Sequence, residues 1–482
     1  MCKLSCLIPA LCYCLSGIAQ NEQKMFWALN GSATGFVWDN TTGNNRIDNG
    51  NGTWNTTASN KTWTFNKGIS NVAWRPGAAA IFGGNPGTGA AGTVTLSASQ
   101  IVSSLTFNPA ASGTFTLAEG AGSNISITNL SGNIIANASA TINASLVGTS
   151  GLTLTGTGTI TLDSATTYTG TTTINSGTLL LSNGIANSNT PTLSTPIVIA
   201  SAGTLSVNIA SANINLSGNI SGAGTLTFTN TTGQLQTLRL YGSNSGFTGN
   251  VTQPANARGL MWSDNLGAGN AANTGSAAAT WNLNGAFGFI ETAGAATPIV
   301  QLGSLSGTNT ATLLGTFGTG TGIKTFQVGA LNTSTSFAGA IQDDPQGGTA
   351  VASLTKVGSG TLTMTGTNTY SGVTNVNAGT LVFSNTPSSS TWNIVVNATA
   401  TPTLTNSGTM TVPGALITGI LRTVNIVLTG TSTGFTWTAV NYTSTNVLGP
   451  TLQVNGVGVT SGIANGSGTT VTANGTTITV KR

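Results

Sequence analysis

The side chains that could carry acid–base or nucleophilic chemistry are few in this chain. Of its 482 residues none is His, and nine are Asp or Glu. The lack of His removes the commonest general base and every Ser–His arrangement. Cleavage of a polysaccharide would need carboxyl groups on both sides of one bond. The candidates are therefore the nine acids, Glu22, Asp39, Asp48, Glu119, Asp163, Asp264, Glu291, Asp343 and Asp344.

Asp343 and Asp344 are the adjacent pair among these acids. They precede Pro345 and two glycines, Gly347 and Gly348, a composition typical of a solvated turn. Neighbours in a strand point to opposite faces, so the pair would not act together on one bond there. A weak calcium site in this turn and carboxylates converging from different coils are the alternatives. We predict no catalytic, cofactor-binding or metal-binding residue.

The four cysteines lie in the first 14 residues, at Cys2, Cys6, Cys12 and Cys14. Lys3 precedes a mostly apolar run that ends in small residues, so we predict a signal peptide over residues 1–19 and an exported chain, extracellular or on the outer cell surface. The mature chain would contain no thiol, which excludes disulfides and zinc–thiolate sites. A lipoprotein anchor is one alternative, and a start at Met25, which would remove the signal, is another.

The charged residues do not indicate a nucleic-acid partner. The net charge is +4, and Lys and Arg together number 13, scattered along the chain without a cluster. Nucleic-acid-binding surfaces concentrate such charges on one face. Beyond residue 20 the sequence contains no apolar run of the ~18 residues that a membrane helix needs. We predict neither nucleic-acid binding nor a transmembrane segment.

The elements that must position these side chains are short strands. Only 5% of the chain is charged, against about 25% in average soluble proteins, and Gly contributes 66 residues. Apolar and Thr residues alternate, as in residues 151–155 and 360–365, and Gly or Asn interrupts nearly every helical window. Alternation with period two places Leu on one face of a strand and Thr on the other. The chain is therefore predicted to be all-β.

An internal repeat decides the architecture. Residues 158–179 and 360–381 align without a gap and are identical at half of their positions. A third, weaker copy is predicted at residues 238–249. One such strand–turn–strand unit cannot bury its apolar face alone, whereas stacked coils bury it continuously. The residues that define the repeat are predicted to be Tyr168, Gly170, Asn175, Gly177, Tyr370, Gly372, Asn377 and Gly379.

We therefore predict a right-handed parallel β-helix with N- and C-terminal caps, at roughly 20–25 residues per coil. The aromatic residue would end a strand and cover the core at a corner, and the glycine after it would allow a sharp bend. Five of the tryptophans, including Trp38, Trp54, Trp63 and Trp74, lie in the first 100 residues. They would plug the first coil, or alternatively form an exposed surface that stacks on carbohydrate.

The repeat at residues 358–381 resembles the autotransporter-associated β-strand repeat of bacterial passenger domains. The resemblance rests on three segments: Gly358–Gly366, the Asn-Thr-Tyr-Ser-Gly run that ends at Gly372, and Asn377–Leu381. Flanking segments at 302–307 and 337–341 are similar to coils that precede this repeat, and the tryptophan-rich start resembles the beginning of such passengers. No translocator barrel is recognised after the repeats.

The resemblance implies a secreted or cell-surface structural stalk that adheres to carbohydrate, matrix or other surface material and performs no catalysis. One alternative is a carbohydrate-active β-helix enzyme, a polysaccharide lyase or glycoside hydrolase. Another is a fragment of a longer autotransporter whose repeat aids secretion of the passenger. The predicted organisation is a signal peptide over 1–19, a Trp-rich cap with the first coils over 20–100, a β-helix over 101–383, and the last coils with a cap over 384–482.

Overall fold

The computed structural model describes residues 35–383 except 42, 45, 66–67, 85–88, 121–125, 184–192, 231–235, 264–274, 292–296 and 318–320, and the backbone of strands between residues 391 and 481. These residues form β-strands and turns, with no helix among them. Between residues 100 and 383, every pair of described strands is parallel. The prediction of an all-β parallel β-helix is confirmed. The predicted signal peptide lies outside the described residues.

Strands alternate with turns that contain Gly, Asn or Ser, because these residues tolerate the backbone conformations of tight turns. The first strands are β1 Gly35–Trp38, β2 Gly50–Trp54, β3 Trp63–Thr64, β4 Ala78–Phe82, β5 Ala91–Leu96, β6 Gln100–Phe107, β7 Phe115–Glu119, β8 Ser126–Ala136, β9 Ala140–Ile142, β10 Ser145–Val147, β11 Leu152–Gly156, β12 Thr159–Leu162, β13 Thr172–Ser182 and β14 Ile197–Ile209.

The middle strands are β15 Ile214–Leu216, β16 Ile220–Gly222, β17 Thr225–Asn230, β18 Thr237–Leu240, β19 Gly246–Phe247, β20 Asn250–Gln253, β21 Gly259–Ser263, β22 Gly275–Leu283, β23 Phe287–Glu291, β24 Ile299–Ser306, β25 Leu313–Phe317, β26 Ile323–Val328, β27 Thr335–Phe337 and β28 Ala340–Ile341. The last strands are β29 Val351–Lys356, β30 Thr361–Met364, β31 Thr374–Val376, β32 Thr380–Phe383, β33 Thr391–Asn397, β34 Thr409–Thr411, β35 Thr423–Thr429, β36 Gly434–Thr438, β37 Thr451–Val454, β38 Val457–Val459, β39 Gly462–Ala464, β40 Thr469–Ala473 and β41 Thr477–Lys481.

Stacked coils place equivalent residues directly above one another. One interior column runs through successive parallel pairs, and its members are at most 1% exposed: Ile160, Leu179, Leu205, Leu226, Val251, Trp281 and Leu305. The neighbouring outer column is largely hydroxyl-bearing and includes Thr159, Thr178, Thr204 and Thr225. Period-two alternation thus separates an apolar core from a Thr-covered outer face, as the sequence pattern predicts.

Coil length is less uniform than predicted. The coil of the first repeat advances by 20 residues between Leu152 and Thr172 and by 19 between Ile160 and Leu179, but others advance by 30, as between Asn250 and Thr280. The expected limit of about 25 residues is therefore wrong for the longer coils. Coils of either length can contain a strand of an additional sheet, since the short coil between Thr204 and Thr225 contains β15. A separate six-stranded sheet, which we call the second sheet, consists of β15, β18, β21, β23, β25 and β28.

Antiparallel pairing occurs towards both ends of the described strands. At the N-terminal end β1 pairs antiparallel with β3 and parallel with β4. At the C-terminal end the parallel series continues through β33, β35 and β37, and then β37–β38, β39–β40, β40–β41 and β36–β41 pair antiparallel. The predicted domain boundaries, including the C-terminal cap, stay predictions.

Candidate functional site

Tyr168 and Tyr370 sit at equivalent corners of their coils. Tyr168 shares a 2.7 Å hydroxyl–hydroxyl hydrogen bond with Thr172, and Tyr370 shares one of 2.6 Å with Thr374. Both rings are buried, at 7% and 1% exposed. Burial raises the pKa of Tyr168 to about 12, against the smaller opposite effect of its hydrogen bond. The corner is thus an aromatic side chain anchored by a polar contact inside the coil.

Of the other repeat residues, Asn175 and Gly177 lie within β13 beside an irregularity in its register, and Gly170, Gly372, Asn377 and Gly379 lie between strands. Gly177 and Gly379 have φ of +73° and +67°, a region that favours glycine. A Cβ at Gly379 would lie 2.3 Å from the carbonyl oxygen of Gly358 in the preceding coil. Gly170 and Gly372 also face the backbone of the preceding coil closely, Asn175 is exposed and Asn377 half-buried. That these eight residues define the repeat stays a prediction.

The second repeat contains a buried cation that the first copy lacks. Lys356 pairs with Val328 and Val376, both fully buried, and is itself 1% exposed. Its ammonium donates to three carbonyl oxygens, those of Val357 at 2.6 Å, Gly358 at 2.7 Å and Ala378 at 3.2 Å. Burial lowers the pKa of Lys356 to about 8. The ammonium thereby satisfies carbonyl groups of two successive turns.

The acidic pair plays a different part from the one predicted. Pro345 to Gly348 are exposed, as a solvated turn requires, but Asp343 is half-buried. Asp343 accepts the N–H of Ala352 at 2.8 Å and, from the next coil, that of Ser371 at 3.1 Å. The solvated-turn interpretation is therefore wrong for Asp343, whose carboxylate ties neighbouring coils together.

Among the remaining described acids, Asp39 and Asp48 lie close together, whereas Asp163 and Glu119 lie apart from the acidic pair. Asp163 lies in the first repeat and Glu119 in β7, where its carboxylate accepts the N–H of Ser145 at 3.3 Å. Within the described ranges no three Asp, Glu, His or Cys side chains come close enough to share a metal ion. Glu22 and Asp264 lie outside the described residues.

The N-terminal tryptophans pack inside the first coils. Trp38, Trp54 and Trp63 are fully buried, and Trp74 is 4% exposed. Ring centroids are 5.3 Å apart for Trp38–Trp63 and 4.7 Å for Trp63–Trp74. Phe82 joins this cluster to the solenoid core. An exposed carbohydrate-stacking surface made of these four tryptophans is therefore ruled out by their burial; Trp27 is outside the described residues.

Sequence reasoning missed a cluster on the outer face of the second sheet. Leu240, Trp262 and Ile290 are in register and fully buried, so the alternate positions of β18, β21 and β23 lie on the opposite face of the sheet. Of these, Met261, Ser263, Phe289 and Glu291 are at most 8% exposed. These positions carry aromatic, charged and hydroxyl side chains. We call them the outer-face cluster: Arg239, Tyr241, Met261, Ser263, Phe287, Phe289, Glu291 and Phe317.

A charged pair and an aromatic stack form the two halves of this cluster. Arg239 Nη1 lies 3.4 Å from Glu291 Oε2, and Ser263 donates to the same oxygen at 2.6 Å. Phe289 stacks between Phe287 and Phe317, with centroids 4.6 Å and 5.8 Å away. Apolar rings beside a few oriented polar groups are the composition typical of ligand contacts. Arg239 and Glu291 lie on different coils, and no local motif signals their meeting.

The fold and its corners define a parallel β-solenoid of repeated coils. The family profile described as Passenger-associated-transport-repeat matches residues 152–181 and 354–383, so the chain carries two copies of that repeat. The third copy predicted at 238–249 is outside the matched residues and stays a prediction. No solved structure matches the chain significantly.

A curated protein from Brucella suis biovar 1 (strain 1330), Adhesin BmaC autotransporter, is 32% identical over 178 residues. The match covers 36% of this chain and 5% of the adhesin, so the chain spans a small part of that relative's length. The predicted resemblance to autotransporter passenger repeats is confirmed. Where the structure describes the chain, it contains no helix with the length and apolar character needed to cross a membrane.

Proposed function

We propose that this chain is the β-helical stalk of an exported cell-surface protein and that it supports adhesion without catalysis. The observation that carries the proposal is the pair of matched repeats, whose corners occupy equivalent places in a continuous parallel stack. The similarity to an autotransporter adhesin supports an adhesive rather than an enzymatic role. Because fold alone does not fix function, adhesion needs a direct test.

We assign the contact with carbohydrate, matrix or other surface material to the outer-face cluster. Its stacked phenylalanines offer apolar area, and the Arg239–Glu291 pair offers oriented hydrogen-bonding groups. Phe287 and Phe317 are half-buried, so part of each ring is accessible. Among the residues that the structure describes, the Thr-rich outer columns elsewhere show no such aromatic stack.

The adhesive function and its assignment to the outer-face cluster can be tested together. Beads coated with the full chain are washed over immobilised glycans and matrix proteins, and their retention is measured. Wild-type beads should be retained on at least one surface, and Phe287→Ser with Phe317→Ser should reduce retention at least tenfold. Ile323→Ser is the matched control, because Ile323 is a 46% exposed apolar residue of another sheet. If folded wild-type chain were retained on no surface, the adhesive function would be rejected. An equal loss in the control would reject the assignment to this cluster.

A role of the repeats in export is the second candidate, favoured by the transport function in the repeat's description. Tyr370→Ala, made in cells, separates the two functions. A role of the repeats in export predicts fewer molecules at the surface with unchanged adhesion per molecule, whereas an unchanged number of surface molecules would reject that role.

Export itself is tested at the N terminus. Cleavage after Ala19 should give a surface-recovered chain that begins at Gln20 and lacks all four cysteines. N-terminal sequencing reads this directly, and a cytoplasmic chain that retains Cys2 would contradict both the localisation and the stalk function.

A further inference from the structure

Asp39 is a buried carboxylate beside the tryptophan cluster. It follows β1 directly, pairs with Asn49 through a parallel bridge, and donates its N–H to the Thr62 carbonyl at 2.9 Å. Asp39 and Asn49 are both 0% exposed. A carboxylate in such surroundings requires hydrogen-bond donors or a cation to offset its lost hydration.

The two oxygens of Asp39 have different surroundings. Oδ1 accepts the N–H of Thr41 at 3.3 Å and that of Asp48 at 3.2 Å. Oδ2 is buried and has no hydrogen-bond donor. Burial raises the pKa of Asp39, and the N–H groups of Asp48 and Thr41 and the nearby Asn71 side chain oppose this by smaller amounts. Oδ2 therefore has no direct hydrogen bond, and the Asn71 amide near the carboxylate compensates its charge only in part.

Asn49 presents a second buried oxygen with no donor. Its Nδ2 donates to the Gly89 carbonyl at 3.2 Å, which assigns the other amide atom as the oxygen, and Oδ1 has no partner. Its φ is +48°, in the left-handed region that Asn tolerates better than most residues. Such backbone positions concentrate at ligand-binding sites. Paired residues of neighbouring strands lie about 5 Å apart, so the two acceptors belong to one small region.

We propose that Asp39 Oδ2, Asn49 Oδ1 and the Asp48 carboxylate bind a calcium ion. The Asp48 carboxylate is half-buried, its charge acts on Asp39, and one of its oxygens also accepts the Nδ2–H of Asn44. All three groups are oxygen donors, the ligand type that hard divalent cations prefer, and nitrogen or sulfur ligands suited to zinc are absent from this set. Water would complete the coordination shell. The ion would fasten the segment after Trp38 to Asn49 and thereby hold the first coils closed. This site is independent of the adhesive function and was not predicted from the sequence.

A proton shared between Asp39 Oδ2 and Asn49 Oδ1 would satisfy the same two atoms. Titration with Ca²⁺ separates the two cases. The full chain should show a saturable rise in melting temperature with Ca²⁺ at concentrations on the order of millimolar, the range of extracellular calcium modules. Tb³⁺ should show luminescence sensitised by the adjacent tryptophans, and Ca²⁺ should displace it. Neither response, or stabilisation by acid alone, would overturn the proposal in favour of the proton.

Asn49→Gly is the decisive variant, because glycine keeps the left-handed backbone while the amide oxygen is lost. We expect a native circular dichroism spectrum and at least tenfold weaker Ca²⁺ and Tb³⁺ binding. Asp39→Asn should lose the response as well. Asp163→Asn, which changes an acid in a distant coil, should keep it. A folded Asn49→Gly chain with wild-type affinity would place any bound ion elsewhere and reject this site.

Discussion

Lys356 should make the free energy of unfolding change with pH in the alkaline range. Its pKa is lowered to about 8, while an unfolded lysine has a pKa of about 10.4. Below about pH 8 both states hold the proton, and between pH 8 and about 10 the unfolded state binds more protons. The free energy of unfolding should therefore rise with pH across that window. Above about pH 10, Tyr168 should lower the free energy of unfolding, because burial raises its folded pKa to about 12 and the unfolded tyrosine loses its proton first.

Urea unfolding at pH 7, 8.5 and 9.5 measures this dependence. Lys356→Met should flatten the rise, because the apolar side chain has no proton to release. Leu154 at the aligned position of the first repeat shows that an apolar residue fits the column. Lys61→Met, at an exposed position, should leave the rise unchanged. If the unfolding free energy of Lys356→Met rose with pH as much as that of the wild type, the pH dependence would belong to another group.

The Tyr370 hydroxyl should contribute measurably to the corner. Tyr370→Phe retains the ring and leaves the hydroxyl of Thr374 buried without its 2.6 Å partner. We expect a loss of about 1–2 kcal/mol in the free energy of unfolding, typical of a buried unsatisfied hydroxyl. Chemical denaturation of the variant, compared with the double variant Tyr370→Phe with Thr374→Val, measures it. If the double variant were no more stable than the single one, the hydrogen bond would not be the cause.

At the scale of the element, the turn at Gly379 combines two constraints that can be separated. Its φ is +67°, and an added Cβ would meet backbone oxygens of the preceding coil at 2.3 Å and 2.5 Å. Gly347 has φ of +80° but no atom within 4 Å of its added Cβ. Gly347→Ala should therefore cost about 1–2 kcal/mol from the left-handed backbone alone.

Gly379→Ala should cost more than Gly347→Ala, because the preceding coil must move away to accommodate the methyl group. The difference between the two losses of unfolding free energy measures the cost of the close approach between successive turns. Equal losses would show that the left-handed backbone accounts for the whole effect.

Sequence patterns predicted the strands and their stacking but not the second sheet. The alternation of Leu with Thr predicts the strands, and the ungapped repeat predicts their stacking. Both patterns can be read from short stretches of sequence. Coils in the middle of the stack add a strand such as Gly259–Ser263, whose sequence Gly-Leu-Met-Trp-Ser has no counterpart in the repeat. The meeting of Arg239 with Glu291 depends on the register of two coils. Register is a property of the assembled stack and cannot be read from either strand alone.

For the whole molecule, coils that contact only their neighbours should lose stability locally. In such a stack, stability is close to a sum of coil and interface contributions. Trp63→Ala removes a fully buried ring from the first coils, a change that costs about 3–5 kcal/mol in typical cores. Amide hydrogen exchange should therefore lose protection in β1, β4 and β6 while β24 and β26 keep theirs.

Trp262→Ala is the matched control in the middle of the stack, where the ring packs against Trp281. Its loss of protection should centre on β20 to β26 instead. Uniform loss of protection along the chain in either variant would show that the solenoid unfolds as one cooperative unit.

The direction of the coil-to-coil hydrogen bonds has a mechanical consequence. In a parallel stack these bonds run along the axis of the solenoid, as between β11 and β13 and between β13 and β14. A pull on the two ends therefore loads the bonds of one coil interface before the next, as in opening a zipper. The expected response is a series of small steps, each releasing the contour length of one coil of 20 to 30 residues. Under the proposed adhesive function, such stepwise lengthening would limit the force on a contact made by the outer-face cluster.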